Sequence, residues 1–543
     1  MTDLEAALRA ADEERLDKPF DAIVVGAGAA GGLAAWLLTE AGLDVLVLDA
    51  GWRPSFWEAP VRRATAALVR SVADPRLQAV LPPKAVDLGR RALRLIGRAR
   101  QPVQTRCFAW EMAPESFVDD RENPYLQDDG ARFDWFRVRQ MGGRMTVPGH
   151  GRQYYRLAER DFYPADGLSP DWPLEPGELD PWYADVEARL GLEGGEEHSR
   201  WIPDARVAQR LVPSAAEAQV MAAVSDRWPV SPRPILGRSA APIDGMALAA
   251  GTGRLALRAG AVALNLMVSG EQARGVVWFD RRTGRQMAAR APMVFACASA
   301  LESTRLLLNT TTDEGRPLGA ASGALGRYLM DHVVVSGDGI GDGLPGEPVA
   351  HEPGRCVYLP RFDLREGRET GRGYGVQVYR WSLGRERSYF NAVSFAEMTP
   401  RAENRIVLDP RRTDAWGAPI PRILCRHDAA EAALARDQAQ ALADFGETLR
   451  VRFLRLDRQA AAPGTALHEC GTARMGRTPE TSVLDPGNQC WDARGLYVTD
   501  AAAFPSQGAQ NPTLTLMALT ARACAAAVGA SAPAASALSA VTP

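Results

Sequence analysis

A chain of 543 residues with 46% hydrophobic and 24% charged residues is too long for one ordinary core and has the balance of a folded enzyme rather than a disordered chain. Its net charge of −3 supplies no global field that would recruit nucleic acid. Seven scattered cysteines without a CxxC pair, and six histidines without metal-ligand spacing, point to a reducing compartment, no disulfide framework and no metal site.

The first residues, MTDLEAALRAADEERLDKPFD, are acidic and helix-prone and lack the basic start and apolar run of a secretory signal. No stretch reaches the length needed to span a bilayer, so a cytoplasmic location is expected. Residues 21–25 (DAIVV) and 45–49 (VLVLD) read as short buried strands around a glycine turn and a helix, AAGGLAAWLLTEAG. That is the opening of a doubly wound sheet. Residues 52–106 then carry twelve Lys or Arg against three acids, with helical periodicity around RRALRLIGRAR. They read as a solvated helical face, or else as a docking patch for an acidic partner or a membrane surface.

Residues 168–215, which open with LSPDWPLEPGELDPWY, read as loops with short helices. Residues 253–297 alternate strand-like runs, with DRRTGR as a hairpin connection. From 333 to about 426, short apolar runs separated by turn residues predict a mainly antiparallel sheet, and so a second domain. Residues 428–456 are predicted helical, LYVTD (496–500) is a last strand, and a helix is expected from about 512 to 527. The tail ASAPAASALSAVTP is low in complexity.

The turn after the first strand is Gly26-Ala27-Gly28-Ala29-Ala30-Gly31. Gly26 allows the tight bend, Gly28 lets the backbone approach a pyrophosphate, and Gly31 permits close packing of helix on strand. The helix N-terminus then offers unpaired N–H groups to phosphates. Asp49, eighteen residues beyond Gly31 at the end of the second strand, is placed for a ribose hydroxyl. The turn alone does not separate FAD from NAD. Near the other end, HECGTARMG (468–476) precedes GLYVTDAAAFPSQGAQNPTLTLMAL (495–519). Asn511 is a good N-cap and Pro512 suits the first helical position, so a helix is expected to start there, with Asn511 as its cap and its positive end aimed at what lies before it.

With QMGGRMT (140–146), FACASALESTRLLLN (295–309), LGRYLMDH (325–332) and ENRIVLDP (403–410), these segments resemble the glucose–methanol–choline (GMC) oxidoreductases along nearly the whole chain. The likeness is greatest to the sugar-oxidising branch, which includes pyranose oxidase and bacterial glycoside dehydrogenases. The resemblance implies an α/β fold: a Rossmann-like FAD-binding domain with a second, substrate domain built on an antiparallel sheet. The implied division is an N-terminal extension (1–17), the FAD domain in three parts (18–165 with the helical basic insertion 52–106, 240–332, and a catalytic part 462–529), a substrate or cap segment (166–239), the substrate sheet (333–461) and a disordered tail (530–543).

It also implies roles. His468 matches the family's base, and Asn511 matches the base's partner. Gly142, Gly143, Met145 and Thr146 match the loop that passes the flavin; Asp500 matches a contact near the cofactor's ribityl chain or pyrophosphate, and Ala501, Pro512 and Thr513 match further cofactor contacts. Val262 and Ala298 match backbone contacts to the adenosine half. Val147 stands where some relatives carry a histidine bonded covalently to the cofactor, so the implied FAD is non-covalent. His150 either faces the flavin or is a plain loop histidine. The implied reaction is oxidation of an alcohol CH–OH, on a sugar, glycoside or sugar-bearing natural product, with oxygen, a quinone or a separate electron-transfer protein reoxidising the cofactor. A lyase of the same fold with structural FAD, and a non-catalytic flavin-binding protein, are the alternatives. No GxSxG elbow supports a serine hydrolase.

Overall fold

The computed structural model describes residues 19–52, 83–128, 130–147, 153–164, 166–195, 198–232, 235–236, 245–343, 356–364, 373–382 and 386–533. The expected N-terminal extension, residues 53–82 of the basic insertion, His150 and residues 534–543 of the tail lie outside them.

The strands β1 (Ala22–Val25) and β2 (Val45–Asp49) flank helix α1 (Ala29–Glu40). Both strands are buried along their whole length. Their unbroken apolar runs are what a parallel strand covered on both faces requires. β1 pairs in parallel with β2, and β2 with β3 (Leu255–Ala259). A meander comes next: β4 (Ala261–Ser269), β5 (Gln272–Asp280) and β6 (Arg285–Arg290), with the DRRTGR hairpin closing Asp280 against Arg285. β7 (Met293–Ala296) returns beside β1 and leads into α2 (Ala300–Leu308).

The second sheet has six strands. Five are β8 (Val333–Asp342), β9 (Val357–Leu359), β10 (Tyr374–Ser382), β11 (Arg387–Ala396) and β12 (Arg452–Leu456); a short strand, Ser231–Pro232, forms the far edge. Helix α3 (Ala429–Thr448) starts at Asp428, whose carboxylate accepts from the N–H groups of Ala430 and Glu431. It packs against β8, with Gln438 donating to the Val333 carbonyl. The chain then returns to the first sheet through β13 (Gln489–Cys490) and β14 (Ala493–Val498), which runs parallel to β7. Helix α4 (Thr513–Ala527) closes the described chain, its middle buried.

Two expectations need correction. The predicted helix over 428–456 ends at Thr448; Arg450 takes a positive φ of 53°, and RFLRL continues as β12 on the edge of β8. The reversal at Arg450 and the strand-favouring alternation after it override the helical composition. The runs NRIVLD and PRILCRH do not extend the antiparallel sheet. Arg405–Thr413 and Pro419–Leu424 form a separate hairpin whose third strand is Leu126–Gln127. Among the described residues no helix is long and apolar enough to cross a membrane.

Candidate active site

One cavity of about 1190 Å³ runs from the β1–α1 turn to the face of the six-stranded sheet. It exceeds the range of roughly 300–1,000 Å³ usual for a single small ligand. Gly26 has φ +97°, and a Cβ there would stand 2.5 Å from the Cys297 carbonyl oxygen; a Cβ at Gly31 would stand 1.8 Å from the Gly26 oxygen. Both positions therefore need glycine for packing, and Gly31 lies behind the cavity rather than on it. Gly28 differs: a Cβ there would meet nothing within 4 Å and would enter the cavity. Ala29 and Ala30, the first turn of α1, line the same space. Asp49 accepts 2.7 Å bonds from the N–H groups of Ala27 and Gly51, and burial pushes its carboxyl up. Its two oxygens retain lone pairs for further donors. Val262 and Ala298 line this end too, as does Arg139, whose buried Nη1 has no protein partner.

The QMGG loop crosses above: a Cβ on Gly143 would approach Gly28 Cα at 3.4 Å. Gly143 and Met145 line the cavity, while Gly142 and Thr146 support the loop from outside it. Gly142 supplies a φ of +88°, and the Thr146 hydroxyl donates to the Gly143 carbonyl at 2.8 Å. Val147 is buried in a small apolar cluster with Trp110 and Phe136. Farther along, Asp500 accepts from the Ser303 hydroxyl and from the Ala502 N–H. Burial raises its pKa to about 6. Asp500, Ala501, Pro512 and Thr513 all face the cavity.

His468 reaches the cavity from a constrained loop. Leu467 before it has φ +63°, a conformation that costs a branched residue about 1 kcal/mol or more. The loop is held there by Arg144, which donates to the Leu467 carbonyl and pairs with buried Glu469. The buried Asp331 carboxylate holds it from the other side, accepting from the N–H groups of Gly464, Ala466 and His468.

The next residue, His332, is 2% exposed. Its Nε2 lies 2.9 Å from the Gly508 carbonyl, and its Nδ1 lies 2.8 Å from His468 Nδ1. A carbonyl only accepts, so His332 carries its proton on Nε2. Burial lowers its pKa to about 4, which keeps the ring neutral. Its Nδ1 is then an acceptor, and His468 Nδ1 must be the donor. In its neutral form, the His468 ring therefore holds its lone pair on Nε2.

Asn511 is fixed by a ring of side chains. Gln377 Nε2 donates to Asn511 Oδ1 at 2.8 Å, Tyr379 donates to Gln377 Oε1 at 2.9 Å, Gln153 Nε2 donates to the Tyr379 hydroxyl at 2.6 Å, and Asn511 Nδ2 reaches Gln153 Oε1 at 3.5 Å. With Oδ1 occupied, the amide presents N–H to the cavity. The expected capping role is not observed. Helix α4 begins one residue later, at a Pro512 N-cap, and Asn511 makes no bond to its first turn. The segment LGRYLMDH marks the family without pointing to His332, and nothing in the sequence singles out Gln153, Gln377 or Tyr379. An Asp directly followed by a histidine was the one available signal.

Residues 400–520 match the family model described as GMC oxidoreductase, and residues 24–72 match that of an NAD(P)-binding Rossmann-like domain. The chain is similar to the GMC oxidoreductases. Among relatives of this family, it is 27% identical over 410 residues to 2-methyl-1,2-propanediol dehydrogenase of Mycolicibacterium austroafricanum, a match covering 65% of this chain and 74% of that one. It is 30% identical over 276 residues to a C-glycoside 3-oxidase of Arthrobacter globiformis, covering 47% and 50%. The fold superposes on pyridoxine 4-oxidase from Mesorbium loti with a TM-score of 0.61 at 19% identity, over 93% of this chain and 98% of that one. The GMC cofactor, FAD, fits the cavity. Open space above Gly28 at a helix N-terminus suits a pyrophosphate, the remaining Asp49 lone pairs suit ribose hydroxyls, and the orphaned Arg139 Nη1 suits an acceptor on the ligand.

Proposed function

We propose that this protein is a GMC oxidoreductase that oxidises a secondary alcohol of a sugar, glycoside or sugar-bearing natural product to the carbonyl, with His468 as base and Asn511 as its partner. The observation that carries the reading is a pair of opposite polarities lining one cavity: a lone pair on His468 Nε2 and an N–H on Asn511. A hydroxyl group is complementary to both at once, donating its proton to the imidazole while its oxygen accepts from the amide. When bound, FAD supplies the redox step by accepting hydride from the carbinol carbon.

His468 holds the hydroxyl and takes its proton at Nε2. The His332 acceptor keeps the other His468 nitrogen protonated throughout. Asn511 orients the oxygen, since its own amide cannot rotate while Gln377 occupies Oδ1. The start of α4 adds a positive field at the same end of the cavity, on the order of 1 kcal/mol. Gly26, Gly28, Ala29, Ala30 and Asp49 hold the dinucleotide on this reading, Gly31 lets the helix pack behind them, the QMGG loop covers the dinucleotide, and Val147 leaves it non-covalent. Support for a sugar comes from the glycoside-oxidising relative and from the amide- and hydroxyl-rich wall beside Asn511.

The electron acceptor is oxygen, a quinone or a separate protein. A cytoplasmic setting accords with seven buried, unbridged cysteines. Anaerobic stopped-flow mixing with a panel of sugars, glycosides and simple alcohols tests the function. Bleaching of the flavin by a sugar is expected, and a protein that binds FAD but is bleached by none of them would overturn it, in favour of a lyase.

A further inference from the structure

Beyond the catalytic pair, the cavity wall is one face of the six-stranded sheet. Alternate residues of β11 (Tyr389, Asn391, Val393, Phe395) line it, and so do alternate residues of β10 and β8. The pairing register sets them in rows. Phe395 lies opposite Val334. Val393 lies between Ser336 and Gln377, Asn391 between Asp338 and Tyr379, and Tyr389 opposite Trp381. The first row touches the base, with the Phe395 ring 5.7 Å from that of His468. The second touches its partner through Gln377. Same-face residues on a strand are about 6.8 Å apart, so the last two rows extend about 14 Å past the catalytic pair. A single pyranose ring covers about one such interval, so the outer rows face whatever is attached to it.

Their chemistry is specific. The Trp381 and Tyr389 rings meet at 4.4 Å between centroids, tilted by 37°. Asp338 Oδ1 accepts from the Tyr389 hydroxyl at 2.6 Å and from Asn391 Nδ2 at 2.8 Å, which fixes both side chains. Its other oxygen accepts from Arg455 at 2.9 and 2.6 Å. Arg455 also donates to both oxygens of Asp457 at 2.6 Å, so its guanidinium is shared between two carboxylates, and this wall offers an aromatic surface with a polar rim whose charges are already paired. An ion gains nothing there, whereas a ring with an apolar face buries it against the aromatic pair.

We propose that the outer wall is a second-ring site, which stacks an uncharged ring, joined by a glycosidic link to the sugar being oxidised, on Trp381 and Tyr389. It rests on the sugar reading above. A sugar ring and an aromatic aglycone share this chemistry. The test takes the sugar that bleaches the flavin best and compares its methyl glycoside with its phenyl glycoside and with a disaccharide. Stopped-flow reduction of the holoenzyme gives Kd and the limiting reduction rate separately. Difference-absorbance titration of His468→Ala holoenzyme gives Kd without turnover.

The two-ring compounds are expected to bind about three- to tenfold more tightly than the methyl glycoside, from one aromatic stacking contact. Trp381→Leu is expected to collapse that ratio towards one, and Trp381→Phe to keep part of it. Tyr389→Phe, which keeps the ring and loses the bond to Asp338, is expected to narrow it and serves where the tryptophan variants fold poorly. A gap with the phenyl glycoside alone assigns an aromatic occupant, and a gap with the disaccharide alone assigns a sugar. Equal Kd values in the wild type, or a ratio that survives in folded, flavin-loaded variants, would overturn the second-ring site and leave the sugar reading standing. Failure of every sugar to bleach the flavin would remove both.

Discussion

Replacing His332 with leucine tests the tautomer assignment most directly. The side chain is 2% exposed and makes two bonds, of 2.9 Å to the Gly508 carbonyl and 2.8 Å to His468. Leucine removes the nitrogen that compels His468 to carry its proton on Nδ1. Loss of one such bond costs about 1 kcal/mol, or somewhat under tenfold in rate, if the base keeps its tautomer. A base held in the wrong tautomer loses on the order of 10⁴-fold. The limiting rate of flavin reduction in His332→Leu is therefore expected to fall by an amount between these bounds, with bound FAD retained and substrate Kd changing by less than about threefold, the size of a fraction of one hydrogen bond. His332→Asn restores a carboxamide that can accept from His468 and donate towards Gly508, and is expected to recover part of the loss. The assay is anaerobic stopped-flow reduction, followed as bleaching of the flavin. A reduction rate in His332→Leu equal to the wild type would refute the reasoning, and so would equal losses in the leucine and asparagine variants.

His468→Ala should keep the flavin and lose about 10²- to 10⁴-fold in reduction rate; reduction at the normal rate would remove it as the base. Gly28→Val should fold, since φ there is −76° and its Cβ meets nothing, yet lose FAD because the added methyl groups enter the cavity; full flavin content by absorbance would contradict the dinucleotide placement. Acid provides another handle. The folded chain holds His332 at about 4 against 6.5 for an ordinary imidazole, so the unfolded chain takes up the extra proton between those values. Stability falls as the pH drops through that window, by about 3 kcal/mol in all and about 2 kcal/mol between pH 7 and 5. His332→Asn lacks this component and should lose correspondingly less on acidification; urea midpoints at the two pH values decide it, and identical acid sensitivity would count against a neutral buried ring.

The dinucleotide turn was legible because each glycine has a local cause: a positive φ, a carbonyl at 1.8 Å, an open space. The proposal of His468 and Asn511 as the catalytic pair starts from a family pattern, since nothing local in the sequence announces a base. The cap assigned to Asn511 failed because a carboxamide has competing partners, and the one it uses, Gln377, is 134 positions away. The wall residues were hidden for a related reason. A period-two alternation shows that Tyr389, Asn391 and Val393 share a face, but not whether that face meets a helix or a cavity. The end of α3 was misread because helix-favouring composition runs on past the point where Arg450 reverses the chain.

Asp331 and His332 are neighbours in the chain, and each grips the loop of His468 in its own way: the Asp331 carboxylate holds the loop's backbone N–H groups, and the His332 ring holds that of His468. Placement and protonation of that imidazole thus descend from a single dipeptide at the entry to β8, while the aromatic pair of the proposed second-ring site belongs to β10 and β11. Inheritance can therefore treat them separately: drift in the two strands alters what is accepted without disturbing how it is attacked, whereas a change at either member of the dipeptide disables every specificity alike.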